Sequence, residues 1–229
     1  MAGTTNDVTR LPPGQQTLGH FPRFGRRPWR RAPRQEAPTV VFGGALDRRV
    51  EITVTDLMEL PRREIVADFH CVTGWSVTGL RWAGVPFAVV HDRIIRPRLE
   101  SGRPITHVDV WGSDGEHYVA RLDDLLGEDV LLADRLDGAP LPGRHGAPLR
   151  LVSPSQYGYV NIKHVCRIDV HRGEPNGGTT PLPHRLLPSH PRARVWSQER
   201  HPWLPAWLVL PVYRVLRRLI LRTANRSRT

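Results

Sequence analysis

Short apolar runs separated by turn residues dominate residues 39–172. Each run has four to eight residues, whereas a typical helix needs about ten or more. Several of the runs are rich in valine and isoleucine, which favour strands. We therefore expect strands at TVVF 39–42, VEITV 50–54, EIVADF 64–69, HVDVWG 107–112, DVLLADRL 129–136, PLRLVS 148–153 and HVCRIDV 164–170.

A few short helices are expected between these strands, at TDLMELP 55–61, VPFAVVHD 85–92 and RLDDLLG 121–127. Strands and helices do not alternate regularly, and no glycine-rich phosphate-binding fingerprint follows a strand. Both observations argue against a doubly wound nucleotide-binding fold. The pattern predicts a β-rich α+β domain.

Changes in composition divide the chain into three regions. Residues 1–38 are rich in proline, glycine and arginine and have no apolar period, which is typical of an extended basic arm. Residues 39–172 form the predicted domain. Residues 173–229 begin as a second Pro- and Gly-rich arm and end in a basic amphipathic helix.

The net charge of +11 is concentrated in two arginine clusters. One is RFGRRPWRRAPR at 23–34, and the other consists of Arg214, Arg217, Arg218, Arg222, Arg226 and Arg228. Such clusters suit an anionic membrane face or an acidic protein partner, and they are equally compatible with a solvated tail. No recognition helix, zinc-ligand spacing or RNA-binding aromatic motif accompanies them, so we expect no nucleic-acid partner.

The C-terminal helix is expected within WLPAWLVLPVYRVLRRLILRTANR, residues 203–226. At 100° per residue, one face carries Leu208, Val212, Val215, Leu216 and Leu219, and the other carries Arg214, Arg217, Arg218 and Arg222. Its uncharged run, 203–213, is far shorter than the ~20 residues that cross a bilayer. Two interpretations stay open: peripheral contact of residues 203–229 with a membrane, or docking on the chain's own domain.

Cys71 and Cys166 are the two cysteines of the chain, which excludes a disulfide framework and fits a reducing compartment. The N-terminus lacks the apolar stretch of a signal peptide. No apolar stretch follows the pair Arg26-Arg27 either, as a twin-arginine export signal would require. We therefore expect a cytoplasmic protein. A peripheral position on the inner face of the membrane is compatible with this expectation.

Cys71 lies where the predicted strand EIVADF ends and a polar stretch begins. Three interpretations are open at this point: a small buried hydrophobe, an activated nucleophile, or a ligand for a soft metal. A thiol hydrolase is disfavoured because the neighbouring His70 points to the opposite side of a strand.

A second candidate group lies in residues 138–170. Lys163 is the single lysine of the chain, and Arg150 falls inside a strand-like run, where an unpaired buried charge is costly. With His145, these residues supply donors for a phosphate or a polar heterocycle. The alternative is that Arg150 faces water on an edge strand.

Two ordered blocks of the chain resemble a known family. FHCVTGWSVTGLRWAGVPF at 69–87 and DVLLADRLDGAPLPGRHGAPLRLVSPSQYGYVNIKHVCRIDV at 129–170 are similar to the catalytic domain of sulfite-oxidase-type molybdopterin oxidoreductases. The resemblance extends over residues 10–172 and is closest to small bacterial members that consist of this domain alone. It implies the family's β-rich α+β fold and a molybdopterin cofactor.

The resemblance also implies a role for each candidate residue. Cys71 matches the one protein ligand of molybdenum, and His145 and Arg150 match residues that hold the pterin. Segment 161–163 matches the one that closes on the cofactor's phosphate. The implied cofactor contacts are therefore His145, Arg150, Asn161, Ile162 and Lys163, with Gly112 or Ser113 near the metal and His20 and Phe21 in a loosely aligned upstream loop.

By resemblance, the expected activity is oxygen-atom transfer on a small oxyanion, as in sulfite oxidation. Sulfoxide or N-oxide reduction is the alternative within the family, and a cofactor-less binding module is the non-enzymatic one. The chain departs from larger members because residues 173–229 are too few and too proline-rich for an immunoglobulin-like domain. It has no C-x-x-C-H haem motif, so we expect no haem and a separate electron-transfer protein as partner.

Overall fold

A computed structural model describes residues 10–22, 37–175 and 190–226, the stretch 218–226 as backbone only. The N-terminal arginine cluster, 23–34, lies outside the described residues, as does most of the second predicted arm. The described residues form two β-sheets with a few short helices and one long C-terminal helix. The β-rich α+β class expected from the sequence is confirmed.

Within the described ranges, eleven strands make up the two sheets. They are β1 (Gln16–Thr17), β2 (Thr39–Gly44), β3 (Val50–Thr53), β4 (Arg63–His70), β5 (Trp75–Pro86), β6 (His107–Gly112), β7 (His117–Arg121), β8 (Leu131–Leu136), β9 (Ala139–Pro140), β10 (Arg150–Val152) and β11 (Val165–His171). The six-stranded sheet has the order β1-β5-β8-β10, with β4 also paired to β5 and β9 to β8. The five-stranded sheet has the order β3-β2-β11-β6-β7.

Both sheets are mixed. The β1–β5 and β2–β11 pairs are parallel, and the other pairs are antiparallel. The helices are α1 (Val54–Met58), α2 (Phe87–Val90), α3 (Leu122–Leu125) and α4 (Ala206–Arg226), with a π-turn at His91–Ile95 and 3-10 turns at Arg96–Arg98 and Gly143–His145. All seven expected strands and all three short helices are present, whereas β1, β5, β7 and β9 were not expected.

The six-stranded sheet separates two hydrophobic cores. Along β8, Leu132 points into the main core that this sheet shares with the other, while Leu131 and Ala133 point into a smaller core on the opposite side. This two-residue alternation is the normal pattern of a strand buried on both faces. The smaller core also contains Trp75 and Trp82, and Cys71 packs against it.

Segments on both sides of residues 39–172 pack on the domain. Gln16 and Thr17 pair with the start of β5, so the described part of the N-terminal arm lies on the domain. Ala193 and Val195 are buried in the main core, and the Tyr157 N–H donates to the Ala193 carbonyl at 2.9 Å. Packed structure therefore continues beyond residues 39–172. The predicted domain boundaries at 38/39 and 172/173 stay predictions.

Helix α4 docks on the domain, but through a different face than the sequence indicates. Val209 and Tyr213 are buried against the domain, and Arg217 donates to the Gly74 carbonyl at 3.1 Å. Leu208, Val212 and Val215, from the expected apolar face, are 47, 49 and 58% exposed. The docked face is therefore not the one that the apolar pattern alone indicates, and Arg217 is not simply a solvated arginine.

Candidate functional site

Cys71 stands at the start of a tight turn that joins β4 to β5. The Cys71 N–H donates to the Trp75 carbonyl at 2.8 Å, and the Gly74 N–H donates back to the Cys71 carbonyl at 3.0 Å. Gly74 has a φ of +98°, and a Cβ there would lie 2.8 Å from the Gly14 carbonyl oxygen. Gln15 Nε2 donates to the Cys71 carbonyl at 3.1 Å, so the N-terminal segment also holds this turn.

The Cys71 thiol is partly buried, and its Sγ lies 3.2 Å from Thr73 Oγ1. Burial raises the pKa of Cys71, and the hydrogen bonds from Thr73 and the charge of Arg200 act in the opposite direction. The His70 ring instead faces Ser76, with Nδ1 2.7 Å from Ser76 Oγ. His70 is thus engaged away from the thiol, as the alternation of side chains along a strand requires.

Arg150 is buried within a cage of aromatic rings. It is 1% exposed, and its guanidinium carbon lies 5.0–5.5 Å from the ring centroids of Phe21, Phe69 and Trp82. Nη1 donates to the His145 carbonyl at 2.9 Å, while the buried Nε has no protein partner. Burial lowers the pKa of Arg150 to about 9, so the group is charged at neutral pH. The alternative that Arg150 faces water is wrong.

His145 ends the 3-10 turn Gly143–His145 and stacks on Phe21 with 4.5 Å between ring centroids. Burial, followed by the charges of Arg150, Lys163 and Arg144, lowers the pKa of His145 to about 3, so the ring is neutral. Arg144 Nε donates to His145 Nε2 at 3.2 Å, which assigns the ring proton to Nδ1. That Nδ1 is buried and has no protein partner. His145 and Arg150 thus each offer a buried N–H donor without an acceptor.

A cleft of about 820 Å³ opens beside His145 and is also lined by His20, Phe21 and Arg144. The Phe21 ring links this cleft to β4, the strand that precedes Cys71, because it packs on His145 and lies 4.8 Å from the Phe69 ring. The structure therefore brings the loosely aligned His20 and Phe21 next to His145. Cys71 lies two residues beyond Phe69 and is not among the residues that line the cleft.

The expected phosphate segment meets the turn after β6. The Ser113 N–H donates to the His164 carbonyl at 2.9 Å, and the His164 N–H donates to the Gly146 carbonyl at 3.0 Å. A Cβ on Gly112 would lie 2.3 Å from the Lys163 carbonyl oxygen, so glycine is required for this approach. Lys163 Nζ donates to the Arg144 carbonyl at 3.3 Å. Gly112, Ser113 and Lys163 therefore lie close to His145.

Asn161 and Ile162 are placed differently from Lys163. Asn161 Oδ1 accepts from the Ser153 N–H at 2.8 Å, and its Nδ2 donates to the carbonyls of Ser153 and Tyr157 at 3.4 Å. The Ile162 side chain is buried in the main core. Both side chains shape the loop that precedes Lys163, and neither residue lines the cleft beside His145.

Arg200 is a residue of this region that sequence reasoning missed. Its side chain is fully buried and donates to the carbonyls of Val72 and, at 3.2 Å, Pro13. The guanidinium carbon lies 4.9 Å from the Tyr157 ring centroid and 5.9 Å from that of Tyr213. Arg200 thereby connects α4 and the N-terminal segment to the turn that carries Cys71. One arginine in an arginine-rich tail gives no sequence signal for such a role.

Arg200→Met is expected to lower the free energy of unfolding by about 2 kcal/mol, because two carbonyls near the cysteine turn lose their donor. Chemical denaturation measures this change. Arg194→Met is the matched control, since Arg194 is in the same segment but forms a surface ion pair with Glu199. The control is expected to cost less than about 1 kcal/mol. Equal losses in the two variants would contradict the role given to Arg200.

Comparison with known proteins places these features among oxidoreductases. A family model described as the oxidoreductase molybdopterin binding domain matches residues 31–178. The uncharacterized oxidoreductase YuiH of Bacillus subtilis is 31% identical over 203 residues, which cover 85% of this chain and 93% of YuiH. The protein-methionine-sulfoxide reductase catalytic subunit MsrP of Xanthomonas axonopodis pv. citri is 31% identical over 141 residues, which cover 57% of this chain.

The extent of these matches differs. The chain spans nearly all of YuiH but less than half of MsrP, of which 44% is covered. Among solved structures, the sulfane dehydrogenase SoxCD of Paracoccus pantotrophus superposes with a TM-score of 0.52 over 73% of this chain and 49% of that chain. At 20% sequence identity, this similarity supports the fold alone.

Proposed function

The chain belongs to the family of oxidoreductase molybdopterin-binding domains, and on that premise we propose that Cys71 ligates the molybdenum of a bound molybdopterin. We infer that the enzyme transfers an oxygen atom between water and a small sulfur-containing oxyanion, in the direction of sulfite oxidation. The observation that carries this proposal is a pair of buried donors without acceptors, His145 Nδ1 and Arg150 Nε, which the Phe21 and Phe69 rings connect to the strand that precedes the Cys71 turn.

The residues of the site fit such a cofactor. A thiolate is a ligand that a soft metal prefers, and the unpartnered N–H groups of His145 and Arg150 suit the acceptor atoms of a polar heterocycle. Lys163, beside Gly112 and Ser113, supplies a cation for the phosphate. When bound, the cofactor supplies two-electron redox chemistry at the metal.

The chain's own groups prepare the cysteine for this role. Metal ligation requires the thiolate, which burial of Cys71 disfavours. The hydrogen bonds from Thr73 and the positive charge of Arg200 favour it, and the turn hydrogen bonds hold the sulfur in one position. The neutral His145 ring keeps Nδ1–H as a donor across the physiological pH range.

We further propose that a separate electron-transfer protein exchanges electrons with this site. The relative MsrP is named a catalytic subunit, which supports a division of labour between polypeptides. The same relatives favour a second candidate reaction, reduction of a sulfoxide or N-oxide, because several of them are named protein-methionine-sulfoxide reductases. We propose a cytoplasmic location, which fractionation of the native host tests.

The proposed function predicts about one molybdenum and one pterin per chain after expression in a host that makes the cofactor. Elemental analysis and pterin fluorescence measure both. Sulfite with ferricyanide as acceptor then tests oxidation, and methionine sulfoxide with reduced viologen as donor tests reduction. A folded protein with neither molybdenum nor pterin would refute the proposal and favour the cofactor-less binding module.

A further inference from the structure

Helix α4 and the residues before it carry a group of exposed apolar side chains, here called the exposed strip. Its side chains are between 42 and 80% exposed, and the strip consists of Trp203, Leu204, Trp207, Leu208, Val212 and Val215. We propose that the exposed strip docks the protein on the surface of an anionic lipid bilayer. This inference is independent of the chemistry proposed for Cys71.

The geometry of α4 separates the exposed strip from the docked face. At 100° per residue, Trp207, Leu208, Val212 and Val215 fall within an arc of about 140°. Val209 and Tyr213, which are buried on the domain, lie outside this arc. The helix therefore has one apolar side that stabilises its docking and another that is left to solvent. Large adjoining apolar side chains in water indicate an interaction surface.

Charge complementarity identifies the class of partner. Residues 201–229 contain six arginines and no aspartate or glutamate. Arg214 is exposed and borders the arc next to Trp207. Anionic headgroups attract such arginines, and each one near the surface strengthens binding about fivefold.

The shape of the strip favours lipid over a protein partner. Trp203 and Trp207 are 80 and 73% exposed, so their indoles protrude from the surface instead of lining a groove. Protruding tryptophans with aliphatic neighbours insert into the boundary between headgroups and acyl chains. Within the part of the chain that the structure describes, no helix is long and apolar enough to span a membrane. The helix is therefore expected to lie along the bilayer surface.

Docking through the exposed strip would bring the cysteine turn close to the membrane. On the opposite side of the same helix, Arg217 donates to the Gly74 carbonyl, and Tyr213 lies under the Arg200 guanidinium. A helix is about 10 Å across with its side chains, so the turn of Cys71 would lie about one helix diameter from the lipid.

Vesicle binding tests the inference with the full chain, isolated from a cofactor-producing host. Sedimentation is measured with vesicles of equal phosphatidylglycerol and phosphatidylcholine, and with phosphatidylcholine alone, at low salt. The parent is expected to bind the anionic vesicles at least about tenfold more strongly. The double variant Trp207→Gln and Leu208→Gln is expected to lose about tenfold or more of that binding. Glutamine retains helix propensity.

Val66→Thr is the matched control, because Val66 is an exposed apolar residue (69%) that belongs to β4 and not to the exposed strip. It is expected to bind vesicles like the parent. If the parent does not bind the anionic vesicles, the inference is overturned. This result is expected if a protein or another segment of the chain covers the strip. Equal binding by the parent and the double variant would also overturn it, since arginine charge alone would then suffice. Circular dichroism and chemical denaturation of the whole chain check that the variants remain folded.

Discussion

Replacing Cys71 with serine is expected to reduce molybdenum content at least about tenfold and to reduce turnover to background. The oxygen of serine is a harder donor than the sulfur of cysteine, and the hydroxyl is a far weaker acid than a thiol. Serine therefore does not offer the metal a comparable anionic ligand. The backbone turn is expected to survive, because its hydrogen bonds are made by main-chain atoms of Cys71 and Gly74. Elemental analysis, steady-state turnover and loss of the sulfur-to-metal absorption band measure the effect.

Cys166→Ser is the matched control for this experiment. Cys166 is also partly buried, and its Sγ lies on β11, 3.6 Å from the Trp111 carbonyl oxygen. It is expected to retain the parental metal content and turnover. A Cys71→Ser protein with full molybdenum content and activity would refute ligation by Cys71. Loss in both variants would point to general damage instead.

Arg150→Met is expected to reduce pterin and molybdenum content by about ten- to a hundredfold. The substitution removes the unpartnered Nε–H and its charge from the aromatic cage of Phe21, Phe69 and Trp82, while the volume stays similar. Pterin fluorescence after denaturation and elemental analysis of the purified variant measure the loss.

Stability distinguishes a cofactor-binding arginine from a structural one. The lowered pKa of Arg150 means that its charge opposes folding at neutral pH, since the unfolded chain holds the proton more tightly. The cofactor-free Arg150→Met protein is therefore expected to unfold within about 1 kcal/mol of the cofactor-free parent, or to be more stable. A large loss of stability with normal cofactor content would contradict this assignment. Arg135→Met, on the exposed side of neighbouring β8, is expected to change neither quantity.

Strand positions were predictable where a run of β-branched residues met a turn signal on each side, as in β2, β6 and β11. Strand β5 was missed because glycine and polar residues interrupt it, although it is the longest of the strands that the structure describes. Its Gly84 allows the close approach of β8, since a Cβ there would lie 2.1 Å from the Leu132 carbonyl oxygen. Local propensity opposes this strand, and pairing with three neighbours stabilises it.

The residues of the candidate site also fall into two groups, those that the sequence marked and those that it did not. Cys71, Arg150 and Lys163 stood out by residue type, because each is a rare or costly group at its position in the chain. Nothing local marked Arg200, whose contacts with Val72 and Pro13 join segments 128 and 187 residues apart. Asn161 was expected at the cofactor, yet its side chain is taken up by the loop backbone.

The sequence by itself determined the fold class and the family, because these depend on local patterns and ordered motifs, and it singled out Cys71 as the candidate metal ligand. Tertiary structure decided which polar groups are buried without partners and which face of α4 stays in solvent. Those properties arise from contacts between residues distant in the chain: Arg150 is enclosed by rings from three segments, and Tyr213 of α4 packs over Arg200. Burial and the loss of hydrogen-bond partners depend on this packing and not on residue type alone.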